Sequence, residues 1–81
     1  MYNEINRSIR VGVKFSTGEI KPVWFVWEDR LHQIDEVHFY HRSFEGEAPI
    51  HHFAVSAQRT VYHLIFDGKK LNWKLKRVWV E

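Results

Sequence analysis

Three consecutive segments decide the fold: Ile50-His51-His52-Phe53-Ala54-Val55-Ser56-Ala57, Arg59-Thr60-Val61-Tyr62-His63-Leu64-Ile65-Phe66 and Leu71-Asn72-Trp73-Lys74-Leu75-Lys76-Arg77-Val78-Trp79-Val80. Each alternates apolar and polar residues and is rich in β-branched and aromatic types, the pattern of a strand with one buried face. Asp67-Gly68 between the last two tolerates the positive φ of a tight primed turn. A turn at Ala57-Gln58 would set Phe53 opposite Tyr62 and His52 opposite His63. A two-residue turn at Asp67-Gly68 would set Tyr62 opposite Trp73, and a four-residue loop would set it opposite Leu75. Both choices keep the same parity. One face then holds Phe53, Val55, Tyr62, Leu64, Phe66, Leu71, Trp73, Leu75 and Trp79. The other holds Ile50, His52, Val61, His63, Ile65, Asn72, Lys74, Lys76 and Val78. The first is a core; the second is a polar face spotted with β-branched residues.

Upstream, Arg7 to Phe15 alternates and Ser16 to Glu19 supplies a turn, returning as Ile20 to Trp27. Pairing Phe15 with Ile20 brings Val11 opposite Trp24 and Ile9 opposite Val26. The other face of this hairpin carries Val23, Phe25 and Trp27, which also need cover. Pro22 has no N–H to give a ladder, so its position belongs at an edge or a bulge. Arg30 to His41 is expected to be a strand, bent or bulged near Asp35-Glu36 where the alternation slips, with a single helical turn as the alternative. Residues 42–49 read as a loop by composition, and residues 1–6 as a frayed end. The whole chain, residues 1–81, is one domain. It is expected to be all-β, a meander of about six antiparallel strands forming a strongly curled sheet or small barrel.

At 81 residues the core is small, and chains of this size often draw stability from disulfides, metals or oligomerisation. With no cysteine, disulfides are excluded, which fits a reducing compartment. Four Trp, three Tyr and six Phe supply the apolar bulk instead. The N-terminal residues lack the apolar core of a signal peptide, and no apolar run approaches the roughly 20 residues of a membrane span. A cytoplasmic protein with no membrane partner is the expectation. The net charge of +2 is unevenly spread. Residues 28–57 carry two basic and six acidic groups, whereas residues 58–81 carry six basic and two acidic.

Three classes of function remain. A basic sheet face of His52, His63, Lys74 and Lys76, with Arg59, Lys69, Lys70 and Arg77 nearby or at strand ends, can neutralise phosphates of a nucleic acid; a solvated strand face with ordinary lysines is the plainer account of the same residues. Self-association would cover Val23, Phe25 and Trp27 in a homodimer, unless residues 30–41 fold over them. Histidine-based metal binding has the pairs His38 and His41, and His51 and His52, but neither spacing is a zinc signature. Neighbouring strand residues also point to opposite faces, so no metal site and no cofactor are assigned. No serine sits in a nucleophile elbow, the carboxylate pairs lie at turns or in a loop, and the glycines are isolated, so no enzyme is expected.

Two stretches, Pro22-Val23-Trp24-Phe25-Val26-Trp27 with Arg30, His32 and Ile34-Asp35-Glu36-Val37, and Tyr62, Leu64, Phe66-Asp67 with Trp73, Leu75 and Arg77-Val78-Trp79, resemble a family of short bacterial β-rich proteins. The resemblance covers about residues 9–80 and departs at His38–His41, where members carry a Trp-containing segment. It implies a fold and no activity or site residues. Some members lie near genes for damage-tolerance DNA polymerases, which points toward an accessory module binding nucleic acid or a protein partner. Because burying a large apolar side chain contributes roughly 1.5–3 kcal/mol, Trp73→Ala is expected to unfold or severely destabilise the domain. A chemical melt matching the parent would remove Trp73 from the core.

Overall fold

A computed structural model describes residues 1–80 as seven antiparallel strands in one sheet. They are β1 (Tyr2–Ser16), β2 (Glu19–Trp27), β3 (Arg30–Gln33), β4 (Glu36–Glu45), β5 (Ala48–Ala57), β6 (Thr60–Asp67) and β7 (Asn72–Trp79). Their spatial order is β3-β2-β1-β7-β6-β5-β4, and the sheet curls into a half-barrel. The expected bend near Asp35 is a break that divides one strand into β3 and β4. At the break, the Ile34 N–H donates to the Val23 carbonyl and the Asp35 N–H to that of Ser56. Those two bonds tie β2 to β5 at one end of the curl.

β1 belongs to two ladders. Its first half pairs with β7, from Tyr2 opposite Trp79 to Ile9 opposite Trp73. Its second half pairs with β2, from Arg10 opposite Val26 to Ser16 opposite Glu19. Residues 1–6 are therefore not frayed. Met1 and Val80 also exchange backbone hydrogen bonds, 3.0 Å from the terminal ammonium to the Val80 carbonyl and 2.7 Å in return. Asn6, at φ 52°, lies in the β1 bulge between Glu4 and Arg7, in a left-handed conformation that Asn tolerates better than most residues.

The curl encloses Phe25, Phe53, Val55, Ala57, Tyr62, Leu64, Leu75 and Val78. Trp73 packs on this cluster between Phe53 and Phe66, with ring centroids 5.5 and 5.0 Å away. Phe25 has no exposed surface: it meets Tyr62 edge-on at 4.9 Å and stacks on His32 of β3 at 4.8 Å. Phe25, at the centre of the row expected to self-associate, is thus not available to a second copy, because His32 of β3 and Tyr62 of β6 cover it and pack on Trp27 as well. Val23 and Trp27 are half-buried.

Several expected registers move. Phe15 faces Ile20 as read, but a bulge at Gly12/Val13, beside the N–H-less Pro22, puts Val11 opposite Phe25 and Gly12 opposite Trp24. The β5–β6 turn is Gln58-Arg59, both at positive φ, so Phe53 faces Leu64 and His63 faces Ala54; His52 is not opposite His63. After Asp67 the chain loops through Gly68 to Leu71, the Asp67 carboxylate accepting the N–H groups of Lys69 and Lys70. Phe66 then faces Trp73, and Tyr62 faces Val78 rather than Trp73 or Leu75. Residues 42–49 are no loop. β4 and β5 stay paired to Glu45 opposite Ala48 around a turn with Gly46 at φ 63°.

The bulge between His63 and Leu64 in the β6–β7 ladder leaves Lys76 as the extra residue and reverses the facing of everything beyond it. Val78 is therefore in the core and Trp79 is 41% exposed, the opposite of simple alternation; Leu71 is also exposed, in the loop.

The Trp24 indole lies against Gly12 so closely that a Cβ there would overlap it. Gly12→Val is expected to lower stability by about 1–3 kcal/mol, the usual cost of overpacking. Denaturant midpoints would show the loss, and Trp24→Leu in the same chain should recover part of it.

Candidate nucleic-acid interface

Two bulges build the outer face of the sheet. The first, between Val37 and Phe39 in β4, sets Phe39 beside Ala54 and His41 beside His52. The second makes Lys76 and Arg77, neighbours in sequence, line one shallow groove with His41, His52 and His63. Regular alternation would have sent Lys76 and Arg77 to opposite faces.

An aromatic row crosses this face from β4 to β1. The Phe39 and His41 rings lie 5.4 Å apart, and His41 stacks on His52 at 4.2 Å with the rings 3° from parallel. His63 follows on β6. The Tyr2 ring sits 4.8 Å from His63 and 4.9 Å from Trp79, and the Tyr2 hydroxyl hydrogen-bonds His63 Nε2 at 3.2 Å. Cations are interleaved with it. The Arg77 guanidinium lies 5.0 Å from the Tyr2 ring centroid, and its Nε is buried without a hydrogen-bond partner among the described residues. Lys74, opposite Ile65 and Ser8, shares the face. Glu4, opposite Arg77, is the acid on its β1 side. Phe39, Tyr2 and Trp79 are 59, 40 and 41% exposed, so part of each side chain is accessible to a ligand.

Of the five residues expected at this site, His52, His63, Lys74 and Lys76 share the outer face. Arg59 does not join them: it sits in the β5–β6 turn, beyond Thr60. Phe39, His41, Tyr2 and Trp79 complete the row and escaped the sequence reading, which had Arg77 nearby but not on this face. The doubled parity at the bulges hid Arg77 and Trp79, and the supposed fraying of residues 1–6 hid Tyr2.

Burial and nearby charge act together on the histidines. Desolvation first, then His41, Lys76, His63 and His51, hold His52 below the ordinary histidine range. Desolvation and the cations Arg77 and Lys76 lower His63, against a weaker opposing pull from Glu4. One His52 nitrogen hydrogen-bonds Ser43 Oγ at 2.8 Å. Elsewhere, His51 lies on the inner face against Tyr40, whose hydroxyl is 2.7 Å from His51 Nδ1, and it is lowered by burial and Arg42. His32 is 8% exposed and its Nδ1 has no hydrogen-bond partner among the described residues; desolvation, then Arg30, lowers its pKa, against the Trp27 backbone and Glu28.

No group of three or more His, Asp or Glu side chains among the described residues is placed to hold a metal ion. His38 faces Glu36 at 3.4 Å, apart from the His41–His52 stack. No helix among the described residues is long and apolar enough to cross a membrane. No protein-family model, curated protein or solved structure matches the chain.

Four histidines with lowered folded pKa values make stability pH-dependent. Below the ordinary value of about 6.5 the unfolded chain binds protons that the folded chain still refuses, so acid favours unfolding. Their contribution is complete above that value and is lost as pH falls toward the folded pKa values. Denaturant melts are expected to shift to lower midpoints from pH 7.5 to 5.5, and His32→Phe should flatten part of that slope.

Proposed function

We propose that this domain is a non-enzymatic binding module for single-stranded nucleic acid, which lies across the outer face of the sheet. The observation that carries this reading is the interleaving of exposed aromatic rings with cations on one face: Phe39, the His41–His52 stack, Tyr2 and Trp79 among Lys74, Lys76 and Arg77. Backbone phosphates need cations along a track, and unpaired bases need π faces at intervals along the same track. A duplex offers no unstacked bases, so open rings favour a single strand. The rings also separate the face from an ordinary solvated lysine surface, which has no use for exposed Trp79 or Phe39.

The test is fluorescence anisotropy of labelled single-stranded DNA and RNA oligonucleotides across a salt series. With three cations engaged, the logarithm of the binding constant should fall with the logarithm of salt at a slope of about −2. Lys74→Glu with Lys76→Glu should abolish binding, while Trp79→Ala or Phe39→Ala should weaken it by about 1–3 kcal/mol. Absence of binding to the parent protein at low salt would end the proposal. Equal binding of duplex and single strand, insensitive to the two ring deletions, would end the stacking part of it.

A further inference from the structure

β4 is the long open edge of the sheet. Among the described residues it pairs with β5 alone, whereas the opposite edge, β3, is only four residues long. An unpaired strand edge is a template for another strand, and proteins usually protect it with Lys, Pro or a bulge. β4 contains neither Lys nor Pro. Its bulge lies between Val37 and Phe39, leaving the ladder regular from Phe39 to Glu45.

That regular segment is complementary to itself. Pairing with β5 sets His41, Ser43 and Glu45 on the outer side, opposite His52, Ile50 and Ala48. Arg42 and Phe44 lie on the inner side, opposite His51 and Pro49. In an antiparallel pair, residues directly opposite share a face. A two-fold axis through Ser43 therefore sets His41 of each copy against Glu45 of the other. It also sets Arg42 of each copy against Phe44 of the other, all facing correctly. Within one chain the Arg42 guanidinium already lies 5.4 Å from the Phe44 ring centroid. Phe44 is 64% exposed, a large apolar side chain without cover in the single chain.

We infer that a second copy of this chain docks on the β4 edge, antiparallel and centred on Ser43, joining two half-barrels into one continuous sheet. The interface is isologous, so it closes at two copies and leaves no growing end at β4. It lies apart from the cations of β7 and shares His41 with the aromatic row of the outer face.

The chain has no cysteine, so a single introduced thiol reports the register. Opposed side chains on an antiparallel pair have Cβ atoms about 4.5–5.5 Å apart, close to disulfide range. Sedimentation of the parent protein is expected to show a dimer at tens of micromolar. Oxidation should cross-link Ser43→Cys rapidly, and Ser16→Cys, on β1 and outside the proposed pairing, at least tenfold more slowly. Arg42→Glu should weaken dimerisation at least tenfold while its melt stays that of a folded domain; if that variant does not fold, the two cysteine variants decide the matter. A parent protein that remains monomeric at millimolar concentration overturns the inference. So does a dimer in which Ser43→Cys cross-links no faster than Ser16→Cys.

Discussion

β1 must satisfy two hydrogen-bond ladders at once, and the rest of the structure follows from that constraint. Its first half is held by β7 and its second by β2. A fifteen-residue strand serving two partners on diverging paths cannot stay flat, because each partner carries its own twist. The bulge at Asn6 in β1, and the extra residue Val23 that β2 sets against Gly12/Val13, absorb the difference. The resulting bend turns the β1–β2–β3 corner over the open side of β5, β6 and β7. Phe25 is thereby brought against Tyr62, and the short β3 adds His32 as a lid. Without this bend neither face of β2 would find cover in so small a chain.

The irregularities also shape the candidate site. Strict alternation keeps consecutive residues on opposite faces, so it cannot gather Lys76 with Arg77. One bulge in β7 gathers them, and the same bulge sends Val78 into the core and Trp79 outward. A core position and an exposed ring are exchanged in one step. The bulge in β4 similarly places Phe39 beside Ala54, with His41 stacked on His52. Bulges concentrate where a sheet must re-aim side chains, and here the re-aimed ones are rings and cations on one surface.

How far the residues alone reveal this depends on the range of the deciding interaction. The strands themselves were plain: alternation in Arg7–Phe15, in Phe53–Ala57 and in Tyr62–Phe66 is local and strong. The β1–β2 turn and the pairing of Phe15 with Ile20 follow from residues that are neighbours in sequence. His52, His63, Lys74 and Lys76 could be placed on one face, since alternation is unbroken along β5 and β6 and along β7 as far as Lys76, the bulge residue itself. Arg77, Trp79 and Tyr2 could not, because their facing depends on how β7 meets β6 and β1. His41 was visible as a histidine but not as the stacking partner of His52, for residues 42–49 resemble a loop until β5 pairs with them.

By itself, then, the sequence determined an all-β antiparallel chain, its approximate strands, and a core of aromatic and branched residues, all consequences of side-chain alternation and local turn chemistry. Only the tertiary structure decided the registers, the break at Ile34-Asp35, the burial of Phe25, and the faces of Val78 and Trp79. The physical reason is that a bulge costs its own strand little and is set by hydrogen bonds to partners distant in the chain. A single inserted residue then reverses every side chain beyond it.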